Sequence, residues 1–277
     1  MEFGVYFLIV LLSITVLVLS SLIIDAVLRR GLTVDTHINI EREFTNTRVL
    51  IVYLPGILSS ARSSCIDLID LWRRYGDVML VEYGDERFNG SVCVHTVAET
   101  VRRQNLEKSY RRIVFIGASM GGLLAYDVIR QLVLANIDSI DLIVLDAPTS
   151  NDDFHGSKRL LAPLLRILFF GQLWNRLNLV AKISVQLKAF KLSFWRDQLV
   201  YIMSHGAPKS GSLKGLVNRL VYVRSTRDHD TVRPETSLVW LATTPIATVL
   251  EVDSTHVGFA ESPMIWREAF EGLLNVG

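Results

Sequence analysis

Six residues near the middle of the chain, Gly117-Ala118-Ser119-Met120-Gly121-Gly122, have the types and the spacing to activate a serine. They match G-x-S-x-G, and the context is the one that motif requires. The apolar run Arg111–Gly117 leads into it as a strand, and helical spacing begins at Met120. Small residues two before and two after Ser119 let such a turn close sharply, which pushes the hydroxyl clear of the sheet. The positive end of the following helix then points at the serine and favours developing negative charge. A hydroxyl so placed is a nucleophile in waiting, because it attacks a carbonyl only when a neighbouring base accepts its proton.

From Thr47 to the C-terminus the chain resembles the α/β-hydrolase superfamily, in its serine esterase and lipase-like members. The resemblance rests on this motif in its strand–helix setting. It implies a chain order of nucleophile, acid, histidine, with the acid after the next-to-last strand and the histidine after the last. Residues of both kinds stand there. Thr244–Val252 is followed by Asp253-Ser254-Thr255-His256, and His256 takes the place of the general base. Arg219–Ser225 is followed by Thr226-Arg227-Asp228-His229-Asp230, with Pro234 four residues beyond Asp230. That Pro spacing favours Asp230 as the acid, with Asp228 as the competitor. The oxyanion hole would take one donor from the N–H of Met120. The other would come from the loop after the strand Thr47–Leu54, through Ile57 or its neighbour Leu58. Pro55 stands where the commoner family pattern has a histidine. The resemblance implies no cofactor and no metal.

These residues need a frame that delivers them to one edge. Strand patterns at Thr47–Gly56, Asp77–Gly84, Arg111–Gly117 and Asp141–Pro148 alternate with helical patterns at Ser59–Tyr75, Val92–Tyr110 and Met120–Ala135. Such alternation predicts βαβ units and a mostly parallel sheet with helices on both faces. Thr36–Phe44 reads as an edge strand. Strand character returns at Arg219–Ser225 and Thr244–Val252, and a last helix runs over Pro263–Asn275. Between the two halves, Ser150–Asn218 is apolar, helical and without a strand. In the family this is the site of a cap over the active centre. The expected organisation is therefore residues 1–28 as a membrane anchor, 29–149 and 219–277 as the two halves of the α/β-hydrolase core, and 150–218 as the cap.

The anchor follows from hydropathy. Apolar residues make up 50% of the 277-residue chain, and Phe3–Ile24 carries no charge. At ~1.5 Å per residue a helix of this length reaches ~33 Å, about one hydrocarbon core. Glu2 alone precedes the run and no A-x-A cleavage site follows it, unlike a secretory signal. Arg29, Arg30 and Arg42 follow the span, so the positive-inside rule places the body in the cytoplasm.

The net charge of +1 excludes a dedicated nucleic-acid binder, yet it hides a segregation. Residues 156–219 hold eleven Lys or Arg and one acid, for +10, while the rest of the chain carries −9. Cations mixed with Leu, Phe and Trp suit an anionic membrane surface, as they also suit a solvated lid. Cys65 and Cys93 stand far apart with no metal-ligand spacing and read as reduced side chains. The expectation is a membrane-bound serine hydrolase cleaving a carboxylic, lipophilic ester through an acyl-enzyme. An acyltransferase or thioesterase with the same triad, or a non-catalytic membrane module on this scaffold, are the alternatives. Oligomeric state is not legible in the sequence.

Overall fold

The computed structural model describes residues 38–43, 48–57, 59–83, 88–132, 138–150, 153, 192–227, 232–259 and 261–275. The proposed anchor, most of the cap, Leu58 and both Asp228 and Asp230 lie outside the described residues.

Seven strands form one sheet in the order β1-β3-β2-β4-β5-β6-β7. They are β1 (Ile38–Glu43), β2 (Val49–Leu54), β3 (Asp77–Tyr83), β4 (Arg112–Ala118), β5 (Ser139–Leu145), β6 (Arg219–Ser225) and β7 (Ala247–Val252). The last six are mutually parallel, and β1 closes one edge antiparallel to β3. The edge strand expected at Thr36–Phe44 is thus present.

Parallel strands covered on both faces read as continuous apolar runs, and side chains then alternate between two cores. Leu50, Val52, Ile113, Phe115, Leu142, Val144, Leu220 and Tyr222 point into one core. It is filled by α3 (Gly90–Lys108) and α4 (Met120–Gln131), with Trp240 of α6 (Thr236–Leu241). Ile51, Tyr53, Val114, Ile116, Ile143, Leu145, Val221 and Val223 point into the other. There α2 (Ile66–Trp72) and α7 (Pro263–Leu274) supply Trp72, Trp266 and Phe270.

Three elements depart from expectation. The helix anticipated over Ser59–Tyr75 divides into α1 (Ala61–Ser64) and α2, because Cys65 adopts φ −120° and ψ 19° between them. Helix α6 was not anticipated; it is six residues long, too short to show a period, and is seated by its Trp240 indole N–H, which donates to the Ala147 carbonyl at 3.1 Å. The last strand begins at Ala247 rather than Thr244. Within residues 150–218, the segment expected to form a cap, the described part contributes α5 (Leu192–Ser204). The Cys65 and Cys93 thiols are both buried and are not joined in a disulfide.

Candidate active site

The carboxyl ends of β4, β5, β6 and β7 converge on one edge, where ligands of open parallel sheets bind. Ser119 lies between β4 and α4 with φ 50° and ψ −121°, a conformation that a residue with a Cβ rarely adopts. Two interactions hold this turn: Ser119 N–H donates to Leu145 O at 2.8 Å, and Gly122 N–H donates to Ser119 O at 3.0 Å. The flanking glycines are required by space. A Cβ on Gly117 would stand 2.5 Å from Gly121 O, and one on Gly121 would collide with the carbonyl oxygens of Leu54 and Pro55.

The same packing brings the loop after β2 against the serine. A Cβ on Gly56 would stand 3.1 Å from Ser119 Cβ and 3.8 Å from its Oγ. Ile57 follows, half-buried, so its backbone belongs to the immediate surroundings of the serine. Met120 opens α4, and the N–H groups of a helix's first turn have no partner within the helix.

His256 sits in the loop between β7 and α7. That loop is fixed through Ser254, which is buried and whose Oγ accepts from the Trp266 indole N–H at 3.0 Å. Gly258 N–H donates to Thr255 O at 3.0 Å, and Phe259 N–H to Val257 O at 2.8 Å. The imidazole is 9% exposed, and its Nδ1 stands 4.0 Å from Asp146 Oδ2.

Asp146, which sequence reasoning did not single out, faces that ring. It directly follows β5 and its side chain is 3% exposed. Ser225 N–H donates to Oδ1 at 2.8 Å, the Ser225 hydroxyl to Oδ2 at 2.5 Å, and Val257 N–H to Oδ2 at 3.1 Å. Burial pushes this carboxyl above its ordinary value, and His256 and the donors from Ser225 and Val257 oppose the rise. In the sequence Asp146 closes an otherwise apolar strand and reads as part of it. The available signal was its place at the carboxyl end of the strand following the nucleophile strand. Asp253 is turned outward and pairs with Arg227 at 2.9 Å, both exposed.

Of the expected site residues, the structure therefore gathers Ser119, Ile57 and Met120 around one turn and seats His256 beside Asp146. Among the described residues no cluster of side chains could hold a metal ion.

No family model matches the chain, and no curated protein matches it. Solved structures do. A lipase-esterase related protein from Clostridium acetobutylicum superposes with a TM-score of 0.64 at 12% identity, covering 85% of this chain and 98% of its own. An esterase from a Rhodococcus species gives 0.63 at 15%, covering 87% and 95%. A meta-cleavage product hydrolase from Pseudomonas fluorescens gives 0.62 at 14%, covering 87% and 94%. At these identities the likeness shows the fold, and that fold is the α/β-hydrolase fold.

Proposed function

We propose that the chain is a serine hydrolase that cleaves a carboxylic ester, with Ser119 as nucleophile and His256 as general base. The strained turn at Ser119 carries this reading. A φ of 50° on a serine, walled by Gly56 and opening a helix, is stored strain of the kind found at functional sites. His256 takes the Oγ proton as Oγ bonds to the ester carbon. The N–H groups of Met120 and Ile57 face the oxygen that gains charge. The bond to the alkoxy group then breaks, and His256 returns the proton to the departing alcohol. Water, deprotonated by the same histidine, attacks the acyl carbon; the bond to Oγ breaks, His256 returns the proton to Oγ, and the acid leaves the free enzyme. A carboxylate that holds the imidazole completes the set.

The apolar run Phe3–Ile24 supports attachment to a membrane as a single span. Arg29 and Arg30 support a cytoplasmic body, and both features favour a lipophilic ester. Among the described residues no helix is long and apolar enough to cross a membrane, and the run itself lies outside them.

A fluorophosphonate probe and a panel of esters of increasing acyl length test the assignment. Wild-type protein should label and turn over. Ser119→Ala should do neither, while keeping its circular dichroism and thermal transition. Retained labelling in the variant sinks the assignment.

A further inference from the structure

Sequence spacing expects the acid in the loop after β6, at residues that lie outside the described ones, whereas a described carboxylate faces the histidine from the end of β5. The residue that ends β6, Ser225, gives both its hydroxyl and its N–H to Asp146, while the carboxylate extends on to the His256 loop. We propose that Asp146, at the end of β5, is the carboxylate that orients His256, in place of Asp230 or Asp228; this rests on the proposed Ser119–His256 chemistry.

Three independent observations lead there. The first is contact: Asp146 Oδ2 faces Nδ1 of His256 at 4.0 Å and accepts from the N–H of the next residue, Val257. One anion thus faces the ring and holds the backbone of the loop that carries it. Catalytic hydrogen bonds are often long in the free protein and tighten with substrate.

The second is strain. Among the described residues, positive φ outside glycine occurs at Ser109, Ser119, Asp146 and Val257. Ser109 is a left-handed helix cap. The other three are the proposed nucleophile, this aspartate and the residue after the proposed base. Val257, β-branched at φ 45°, is the most costly of them. Strain concentrated at three contributors to one site is over-determined geometry, which a surface or loop-capping carboxylate does not need.

The third is burial. A carboxylate 3% exposed is expensive, and one that serves only to cap two loop N–H groups could be replaced by a neutral acceptor. Its charge is useful where an imidazolium forms. As His256 takes the Ser119 proton at Nε2, its Nδ1–H turns to Asp146, which stays ionised and stabilises the cation. A second carboxylate on the same nitrogen would repel the first.

The test compares Asp146→Asn, Asp230→Asn and Asp228→Asn. It reads kcat and KM on a soluble ester, together with the far-downfield N–H proton of His256, assigned by its loss in His256→Gln. Asp146→Asn should lower kcat by about 10⁴ with KM little changed, the scale seen when a triad aspartate is neutralised, and should abolish the resonance. The other two variants should retain both within about tenfold. Loss of kcat and resonance in Asp230→Asn or Asp228→Asn, with both kept in Asp146→Asn, overturns the proposal. Should Asp146→Asn not fold, Ser225→Ala removes one donor from Oδ2. It should shift the resonance and lower kcat by roughly tenfold, the worth of one hydrogen bond to a charge. An unchanged resonance and kcat in Ser225→Ala overturn the proposal equally. The resonance is read on the resting protein. A wild-type protein without labelling or turnover, whose resonance still disappears in Asp146→Asn, would end the ester reading and uphold the Asp146–His256 pairing.

Discussion

Ser119 and Asp146 leave the sheet side by side. The last register pair of β4 and β5 is Ala118 with Leu145, and each of the two following residues turns into positive φ. Ser119 N–H donates to Leu145 O at 2.8 Å, and Asp146 N–H donates to Val223 O at 3.0 Å on the next strand. The backbone ladder therefore sets the spacing of the serine and the carboxylate before any side chain contributes. Parallel pairing dictates where both emerge, and only the His256 loop has to reach across.

The buried carboxylate should cost stability in a pH-dependent way. Its native pKa is raised, chiefly by burial, above the ordinary value of about 3.9 that the unfolded chain would show. The native state then binds more protons than the unfolded state between those two values. Asp146's contribution is full below about pH 3.9 and is lost as pH rises through the native pKa. The stability of wild type relative to Asp146→Asn should accordingly fall as pH rises across that window and be level above it. Denaturant titrations of both proteins over a pH series check this, and a relative stability that grows with pH contradicts it.

Two glycines should respond oppositely to alanine. At Gly121 the new Cβ would meet the carbonyl oxygens of Leu54 and Pro55, rigid backbone on both sides. Gly121→Ala should lose about 2–3 kcal/mol, as overpacked interiors do, and should distort the serine turn. At Gly272, inside α7, the Cβ would meet nothing within 4 Å. Gly272→Ala should gain about 0.5–1 kcal/mol through helix propensity and leave activity unchanged. Chemical denaturation of the pair decides both signs.

Helix α5, in the segment expected to form a cap, is fastened to the helix that Ser119 opens. The Tyr201 hydroxyl donates to Asp127 Oδ2 at 2.9 Å, and His205 Nε2 lies 3.0 Å from the same oxygen. Burial first, and the Asp127 charge second, push the Tyr201 hydroxyl far above its ordinary value, so it remains a donor. The Tyr201 ring packs edge-on against Phe88 at 5.7 Å. Asp127→Ala strands both partners and should cost about 1–3 kcal/mol, whereas Tyr201→Phe leaves the histidine contact and should cost about 1 kcal/mol. Thermal unfolding measured on both variants ranks them; equal costs would show that the hydroxyl alone makes the fastening.

The sheet was legible in the sequence because its strands are buried on both faces, and the β-branched runs from Val49 to Leu54 and from Ile113 to Ile116 admit little else. Ser119 was legible because its turn is local: six consecutive residues carry the strand end, the glycines and the helix start. His256 was legible only through its place after the last strand. Asp146 was not, because its placement depends on a β4–β5 register, on Ser225 from a third strand and on a loop 111 residues later in the chain. Spacing near Pro234 pointed to Asp230, which lies outside the described residues. Spacing reports local chain geometry and carries no information on which carboxylate the fold buries beside the ring.

The proposed membrane association rests on charge and hydropathy together. If Phe3–Ile24 spans the bilayer and Arg29 and Arg30 remain on its cytoplasmic side, the body is held close to an anionic leaflet. The +10 segment from Gly156 to Arg219 then has a surface to meet, and each Lys or Arg that reaches it contributes about 1 kcal/mol. Salt screens such contacts over a Debye length of ~8 Å at physiological ionic strength. Protein beginning at Arg29 should therefore sediment with anionic vesicles more than with neutral ones, and added salt should release it. Replacing Lys182, Lys188 and Lys191 by Gln should weaken the binding about 10-fold or more and leave hydrolysis of a short soluble ester intact. Equal sedimentation with neutral and anionic vesicles would mean that the segment's cations face water and that only the N-terminal run attaches the enzyme to lipid.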